Sequence, residues 1–315
     1  MSGAVVSGAP LVEASGLSKW YGQVVGLNDV TVTVGRGVTG LLGPNGAGKS
    51  TFLRLVSGQI IPSRGTIRVL GERVFGNARL FTRLGVCPET DAFYESMTGL
   101  DFARAMLRLA GFAREEADRR ARAAIARVGL DPDLKKKIAA YSKGMRQRLK
   151  LAQALAPEPE ALVLDEPLNG LDPVGRAAMV ALIRDCGQRG ISVLVSSHIL
   201  HEVEAMTDQI LLIHQGKLLA EGKIREIREL LDRHPHHVRV ACSEPRRLAS
   251  RLAAHADVVR LAFEADGATL VVETTKPDEF YSRLPKILRQ DAISLASLES
   301  TDDGLEAVFR YLVSA

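Results

Sequence analysis

The chain has 315 residues, of which 46% are hydrophobic and 25% are charged, and its formal net charge is +4 at pH 7. This ordinary globular composition argues against a disordered or fibrous chain, and the length favours two domains with a sizeable core. The charge is too mild to indicate a nucleic-acid partner. Three widely spaced cysteines, without a C-x-x-C pair, argue against a disulfide framework or a zinc site and fit a reducing cytoplasm. No apolar run is long enough to cross a bilayer.

The first predicted elements are strands around a glycine-rich loop. We expect residues 1–10, which lack the basic start and apolar run of a signal peptide, to be a flexible N-terminus. Residues 11–13 and 27–34 have strand character, and the aromatic pair Trp20 and Tyr21 lies between them. A short buried strand is predicted at 37–42 and a helix is predicted from Phe52. Between them the sequence is Gly43-Pro44-Asn45-Gly46-Ala47-Gly48-Lys49-Ser50-Thr51.

This loop matches the phosphate-binding pattern G-x-x-x-x-G-K-[ST] without a mismatch. Glycines let backbone N–H groups close around phosphate oxygens, and the positive end of the next helix points at the same anion. Lys49 is then placed to reach the β- and γ-phosphates, and Ser50 to hold Mg²⁺. A chance match in a glycine-rich turn is the alternative, but the flanking strand and helix favour a nucleotide site.

The elements that follow indicate an α/β sheet with a helical insertion. Between about 92 and 140 the hydrophobic period is helical, with apolar stripes at 100–109 and 115–128. The continuous apolar run at 161–164 indicates a parallel strand that is covered on both faces. A helix is predicted near 173–188, and further strands are predicted at 65–69, 84–89, 191–195, 209–213 and 217–220.

Polar residues at two strand ends are candidates for chemistry. Asp165 and Glu166 close the strand at 161–164, and open α/β sheets bind ligands at this end of their strands. Asp165 is expected to hold the Mg²⁺ shell, and Glu166 is placed to take a proton from an attacking water. His198 follows the next strand and can bond a γ-phosphate or orient the water. A histidine at a strand end is also often purely structural.

The character of the chain changes near Gly222. Residues 223–237 are interpreted as a linker that contains a charged helix at 224–231 and then His234, His236 and His237, which we expect to be solvated. Residues 238–298 are predicted to form strand, helix, strand, strand, helix and strand, the order of a ferredoxin-like fold. A last helix is predicted at 304–312, so that 238–315 form a separate C-terminal domain.

The residues Tyr141-Ser142-Lys143-Gly144-Met145-Arg146-Gln147-Arg148 precede a helix predicted at 149–155. They resemble the signature of the ATP-binding cassette (ABC) transporter ATPases, L-S-G-G-Q-x-Q-R, and depart from it at Tyr141, Lys143 and Met145. The variant S-K-G-M is similar to exporter-type cassettes that pair with separately encoded permeases. The resemblance implies that Ser142 and Gly144 contact the γ-phosphate of the nucleotide held by a partner subunit.

Other stretches resemble the same family in order, over roughly residues 11–222. The resemblance implies that Tyr21 stacks on adenine and that His198 is the switch histidine. It also implies that Glu89 replaces the family's usual glutamine in the loop that senses the γ-phosphate, where its carboxylate would serve Mg²⁺. Residues 168–172 match the loop that couples two sites across a dimer. The implied fold is α/β, a P-loop NTPase of ABC type with a RecA-like core, an antiparallel β subdomain and a helical subdomain, plus a C-terminal α+β ferredoxin-like domain.

The resemblance implies an ATPase that drives a separate membrane permease, with export as the favoured direction. ATP and Mg²⁺ are the expected cofactors, Lys49, Glu166 and His198 the expected catalytic residues, and Ser50, Glu89 and Asp165 the expected metal residues. The expected partners, at the cytoplasmic face of the cell membrane, are an integral membrane permease and a second ATPase subunit. The second subunit is either another copy of this chain, which is favoured, or a close relative. The alternatives are a non-transport ABC ATPase and a binding module in which the C-terminal domain regulates the dimer.

Overall fold

The structure, a computed structural model, describes residues 9–226, 235–264 and 266–300. The chain divides into two compact units, Met1–Gly222 and Lys223–Ala315. The predictions for residues 1–8, for 227–234 with His234, and for the helix at 304–312 lie outside the described residues. In the part of the chain that is described, no helix is long and apolar enough to span a membrane.

An antiparallel sheet begins the first unit. Its strands, in the spatial order β2-β1-β4-β5, are β1 (Val12–Tyr21), β2 (Val24–Val34), β4 (Arg64–Val69) and β5 (Glu72–Arg73). The strand that we predicted at 11–13 is therefore longer and includes Trp20 and Tyr21. Irregular pairing along β1 interrupts the alternation of buried and exposed residues, and this hides the strand in the sequence. Gly22, with φ of 61°, makes the tight turn that brings β2 back.

The central sheet has six strands in the order β10-β9-β3-β8-β7-β6. The strands β6, β7, β8, β3 and β9 are parallel neighbours. Both β7 and β8 are buried along their whole length, which the apolar run of β7 predicted for that strand. The carboxyl ends of β3, β7 and β8 therefore meet at one edge. The bounds are β3 (Val38–Leu42), β6 (Leu84–Cys87), β7 (Ala161–Leu164), β8 (Ser192–Ser197), β9 (Gln209–His214) and β10 (Lys217–Lys223).

Side chains cap the N-terminal ends of some helices of the first unit. Thr98 Oγ1 accepts a hydrogen bond from Asp101 N at 3.1 Å, and Asp172 Oδ1 accepts one from Gly175 N at 2.7 Å. The third and fourth helices lie in the stretch where the sequence predicted a helical insertion. The bounds are α1 (Lys49–Val56), α2 (Ala78–Phe81), α3 (Gly99–Leu109), α4 (Arg114–Arg127), α5 (Lys143–Leu155), α6 (Pro173–Gln188) and α7 (Leu200–Glu204).

Helix α5 begins earlier than predicted. We expected it at 149–155, but it begins at Lys143, so most of the signature-like stretch is helical. Ser142 is its N-cap, because the Ser142 side chain accepts a hydrogen bond from Met145 N at 3.3 Å. The glycine and the polar residues of this stretch suggested a loop. The cap and the apolar residues buried further along α5 outweigh that local preference.

The second unit is a four-stranded antiparallel sheet in the order β12-β13-β11-β14, with two helices. Val240 and Val272 face Leu248 and Phe280 in a core that lies within this unit. The strand β11 begins at His236, so His236 and His237 belong to the sheet and not to a solvated linker; they pair with Thr274 and Glu273. The bounds are β11 (His236–Cys242), α8 (Pro245–Leu252), β12 (Val258–Phe263), β13 (Thr269–Thr274), α9 (Pro277–Gln290) and β14 (Leu295–Ser300).

Candidate functional site

The glycine-rich loop joins β3 to α1 at the edge where the strands end. A Cβ atom at Gly43 would collide with the carbonyl oxygen of Ile213, and one at Gly48 would lie 2.6 Å from the carbonyl oxygen of Gly26. Gly48 also has φ of 109°, a conformation that other residues rarely adopt. The backbone therefore packs closely at both positions. Gly48 caps α1 without a side-chain hydrogen bond, so the first N–H groups of α1 stay available to an anion.

The loop forms the wall of a cavity of about 480 Å³. Most of the predicted nucleotide-binding residues line it together, although they come from five separate parts of the sequence. Those residues are Tyr21, Pro44, Asn45, Gly46, Ala47, Gly48, Lys49, Ser50, Thr51, Glu89, Glu166 and His198, and the wall also includes Val24, Val25, Gly26 and Asn169. The cavity has the size of an ordinary small-molecule site.

Four predicted site residues are not part of this wall. Gly43 lies just behind it, where its carbonyl oxygen accepts a hydrogen bond from Lys49 Nζ at 2.7 Å. Asp165 lines a smaller neighbouring cavity of about 70 Å³, which Glu89 also lines. Ser142 and Gly144 lie at the N-terminal end of α5, away from the cavity of their own chain. A role for the last two at a nucleotide thus needs a second chain.

Lys49 is buried, with 6% of its surface exposed, and its ammonium group is surrounded by oxygen atoms. It donates to the carbonyl oxygens of Gly43 at 2.7 Å and Pro44 at 3.2 Å, and it lies 3.5 Å from Glu166 Oε1. A buried ammonium needs such partners, because the interior solvates a charge poorly. The contacts aim the positive charge into the space between the loop and Glu166.

Glu166 connects the groups at the strand ends. Its Oε2 lies 3.0 Å from His198 Nδ1, and its backbone N–H donates to Ser196 Oγ at 2.8 Å. The Ser196 hydroxyl donates in turn to Asp165 Oδ1 at 2.7 Å. Glu166 Oε1 is buried, and among the described residues no group donates a hydrogen bond to it. One carboxylate oxygen is therefore held by a histidine while the other can accept a proton.

Glu166 has φ of 47°, which is unusual for a residue with a side chain. Such strain is found at functional sites, where the surroundings enforce it. Here the Ser196 hydroxyl holds the backbone of Glu166 on one side, and Gln147 Nε2 approaches its carbonyl oxygen at 3.5 Å on the other. The bond between Ser196 and Glu166 depends on the neighbouring order of β7 and β8.

Cys87 is the last residue of β6 and lines the smaller cavity beside Asp165. Burial raises the pKa of the Cys87 thiol to about 12, so this cysteine is an inert part of the core at neutral pH. The Cys87 carbonyl oxygen accepts a hydrogen bond from Asp165 N at 2.9 Å. This hydrogen bond joins the end of β6 to Asp165, next to Glu166. Glu89 follows two residues later and reaches the cavity wall.

Tyr21 lines the same cavity as Glu166. Its ring is 42% exposed and lies 5.5 Å from Lys19 Nζ, measured to the ring centre. A Cβ atom at Gly26 would lie 2.9 Å from this ring, so the glycine makes room for it. Trp20 is also exposed, but Tyr21 is the one of the two that lines the cavity. This agrees with our preference for Tyr21 as the residue that stacks on a base.

The comparisons with known proteins agree with this geometry. A family model described as ABC transporter matches residues 27–169. The bacitracin transport ATP-binding protein BcrA of Bacillus licheniformis is 31% identical over 306 residues, which are 96% of this chain and 97% of that protein. The linearmycin resistance ATP-binding protein LnrL of Bacillus subtilis is 34% identical over 67% of this chain and 70% of its own length.

Solved structures have the same architecture. One described as an ATP-binding subunit of an ABC transporter has a TM-score of 0.64 and 32% identity, over 70% of this chain and 92% of that one. The dimeric cassette MJ0796 in a post-hydrolysis state with ADP and Pi has a TM-score of 0.63 over 68% of this chain and 99% of that one; at 21% identity it supports the fold alone. The chain therefore belongs to the ABC transporter family, as an ATP-binding cassette subunit that binds and hydrolyses ATP.

Proposed function

We propose that this ATPase drives export through a separate membrane permease, as one subunit of a head-to-tail homodimer at the inner face of the cell membrane. The cavity that brings Lys49, Glu166 and His198 together is the observation that carries the proposal. Relatives named for bacitracin transport, linearmycin resistance and Nod factor export support the direction. A permease as a separate chain agrees with a described part that contains no helix able to cross a membrane.

The phosphate end of the cavity would bind the triphosphate of ATP. Lys49 is the cation at this end, and the N–H groups of the loop and of α1 are the neutral donors. Lys49 donates hydrogen bonds to two carbonyl oxygens, which carry no net charge. The carboxylate of Glu166, at 3.5 Å, neutralises the charge of Lys49 only in part. A phosphate oxygen is a stronger partner than a carbonyl oxygen, so Lys49 should move to the β- and γ-phosphates.

The geometry of Glu166 supports its role as the general base. Oε1 is buried and lies 3.5 Å from Lys49 Nζ at the cavity wall, and Oε2 is held by His198 Nδ1 at 3.0 Å. A carboxylate oriented in this way can accept a proton from a water that attacks the γ-phosphate. His198 would keep the carboxylate in place and reach the γ-phosphate with its other ring nitrogen.

Ser50, Glu89 and Asp165 are the residues proposed to hold Mg²⁺, which would neutralise charge on the phosphates. Their hydroxyl and carboxylate oxygens suit this hard cation, and Ser50 and Glu89 line the cavity. Within the described ranges no three His, Cys, Asp or Glu side chains form a metal cluster. This fits an ion that keeps waters and takes further ligands from phosphates, with Asp165 acting from the neighbouring cavity.

Ser142 and Gly144 are proposed to complete the site of a second subunit. They lie at the exposed N-terminal end of α5, where the helix dipole and N–H groups favour an anion. Because they do not line the cavity of their own chain, they are suited to act on the γ-phosphate bound by a partner. The loop at 168–172, with Asn169 in the cavity wall and Gly170 against Lys143, would connect the two sites.

We also propose the domain layout predicted from the sequence, namely a cassette over 11–222 with a helical subdomain at about 92–140, and a ferredoxin-like domain that regulates the cassette. The strand order β12-β13-β11-β14 with antiparallel pairing is the order of a ferredoxin-like sheet and supports the second assignment. The division of contacts at Gly222 supports the boundary.

Replacement of the general base is the first test. We expect Glu166→Gln to retain ATP binding and to lose at least about 100-fold in hydrolysis, the usual contribution of a general base. Lys49→Ala should instead weaken ATP binding. Glu160→Gln, a surface carboxylate that pairs with Arg83, is the control and should keep the native rate. Native hydrolysis by Glu166→Gln would exclude the proposed role.

A pull-down from solubilised membranes tests the transport role. Recovery of an integral membrane protein together with this chain would support a permease partner. Recovery of ribosomes, without a membrane protein, would favour the alternative of a non-transport ABC ATPase.

Light scattering of the Glu166→Gln variant with ATP should show a dimer, and a Ser142→Arg substitution should abolish it.

A further inference from the structure

Two cations on one face of α5 bind the segment that carries Glu89. Lys150 and Arg146 are four residues apart and therefore lie on the same side of the helix. Both point at residues 88–95, which we call the 88–95 segment. One end of this segment lies in the nucleotide cavity, at Glu89, and the other packs on the helical insertion, where the ring of Phe93 meets that of Phe102 at 5.1 Å.

The Lys150 ammonium group makes two hydrogen bonds and one ion pair with this segment. Its Nζ donates to the carbonyl oxygens of Pro88 at 3.1 Å and Glu89 at 2.7 Å, and it pairs with Asp91 Oδ1 at 3.2 Å. The side chain of Lys150 is 5% exposed. A lysine is rarely so deeply buried, because the loss of hydration opposes it unless each donor finds a partner. An apolar residue would fill the same space in α5 without this cost.

Arg146 holds the other end of the segment. It forms a two-pronged pair with Glu95, with both N–O distances at 2.7 Å, and lies 3.6 Å from Asp91 Oδ2. The Arg146 guanidinium keeps the pKa of Glu95 below its usual range, as expected for a bond that favours the charged form. Asp91 lies between the two cations. The 88–95 segment is therefore joined to α5 at four of its residues.

We propose that Lys150 is a positioning residue, which holds the backbone of Glu89 so that the Glu89 side chain enters the nucleotide cavity. The bonds to the carbonyl oxygens of Pro88 and Glu89 hold the main chain on both sides of the Cα atom that carries that side chain. The helix that carries Lys150 has Ser142 as its N-cap and Gly144 in its first turn, so one helix connects the Glu89 loop to the proposed phosphate contact in the partner subunit. The inference rests on the proposed role of Glu89 towards Mg²⁺.

The alternative is that Lys150 only stabilises the fold. Arg120 provides a matched control, because its side chain is 17% exposed, donates to the carbonyl oxygen of Pro157 at 2.8 Å and pairs with Glu116. Lys150→Met and Arg120→Met each remove a largely buried cation and a bond to the main chain. A purely structural role predicts similar effects of both substitutions on every measurement.

The first measurement is hydrogen exchange of the full chain. In Lys150→Met the amides of the 88–95 segment should exchange about tenfold faster, since their carbonyl anchor is lost, and in Arg120→Met they should keep the native rate. Equal rates in the native chain and Lys150→Met would overturn the proposal, as would the same acceleration in Arg120→Met. If Lys150→Met does not fold, Asp91→Asn removes the more exposed partner of Lys150 and should produce a smaller acceleration at the same amides.

The second measurement is the affinity for a fluorescent, non-hydrolysable ATP analogue with and without Mg²⁺. Without Mg²⁺, Lys150→Met should bind as the native chain does, and its gain in affinity on adding Mg²⁺ should be about tenfold smaller, as for residues that support metal ligands. Glu89→Ala is the reference and should reduce the same gain. If Glu89→Ala reduces the gain in affinity and Lys150→Met does not, the positioning role of Lys150 is wrong, while the metal role of Glu89 stands. If Glu89→Ala leaves it unchanged, the proposed metal role of Glu89 is wrong and the inference falls with it.

Discussion

Glu202 is a buried carboxylate on α7. It holds the turn that precedes this helix, and His198 lies in that turn. Its Oε2 accepts a hydrogen bond from the Ser197 hydroxyl at 2.9 Å, and Ser197 Oγ accepts one from Ile199 N at 3.0 Å. Its Oε1 pairs with Arg176 Nη1 on α6 at 3.3 Å. His198 lies between the two residues that this network restrains. The orientation of its ring towards Glu166 therefore depends on a carboxylate that does not line the cavity.

We predict that Glu202→Ala lowers kcat about tenfold, because small displacements of a catalytic group are costly, while the Kd for ATP stays within about twofold, since His198 adds little to ground-state binding. Urea unfolding should show a loss of about 1–3 kcal/mol from the unpaired Ser197 and Arg176 groups. His201→Ala, an exposed change on the same helix, is the control. An unchanged kcat in Glu202→Ala would mean that His198 is held by other contacts.

At the scale of the elements, the sequence predicted the ends of α3, α4 and α6 to within one residue. The helix predicted at 173–188 is α6, Pro173–Gln188, because Asp172 caps it and Pro173 occupies its first turn. The start of α5 was missed, since Ser142 is a cap within a glycine-containing stretch. The strand β1 was predicted too short, because its irregular pairing breaks the alternation. Local patterns cannot show which long-range contacts compensate for such irregularities.

Asp257 joins three elements of the second unit. It precedes β12, and its Oδ2 accepts hydrogen bonds from Arg283 of α9 at 2.5 Å and from Thr274 Oγ1 of β13 at 3.0 Å. The bond from Arg283 is the main reason why the pKa of Asp257 lies below its usual value. Since the unfolded chain binds a proton more readily, this group stabilises the unit above the ordinary pKa of aspartate. That contribution disappears as the pH falls through the lower pKa of the folded state.

We predict that Asp257→Asn costs about 1–3 kcal/mol of unfolding free energy at pH 7, the contribution of hydrogen bonds to a charged group. The native chain should lose stability as the pH falls below about 4, and this part of the pH dependence should be absent in the variant. Urea denaturation between pH 7 and pH 3, followed through the second unit, measures both effects. Equal slopes against pH would show that Asp257 does not titrate differently in the folded chain.

For the whole molecule, the sequence predicted the composition of the site better than its geometry. The loop from Gly43 to Thr51, Glu166 and His198 were assigned from motifs, and all of them except Gly43 line one cavity because β3, β7 and β8 end at the same edge. The position of Asp165 in a neighbouring cavity, the bond between Ser196 and Glu166, and the burial of Lys150 depend on the order of strands and on packing. No short motif encodes them, so they could not be predicted from the sequence.

The two units have separate hydrophobic cores. This separation suggests that the first unit can fold alone. One core includes Phe52, Leu55 and Val163 of the first unit, and another includes Val240 and Phe280 of the second. A unit that buries its own apolar surface has the main stabilising contribution within itself. The cavity residues also all precede Gly222. The nucleotide site should therefore not require the second unit.

We predict that a fragment ending at residue 226 folds cooperatively and binds a fluorescent ATP analogue with a Kd within about threefold of the full chain, a difference of less than 1 kcal/mol. Thermal unfolding and titration of the fragment test this, with Lys49→Ala in the same fragment as the control that should bind poorly. If the second unit regulates the cassette, the fragment and the full chain will differ in hydrolysis or ATP-dependent dimerisation and not in this affinity. A fragment that folds but binds more than tenfold more weakly would instead mean that the second unit supports the nucleotide site itself.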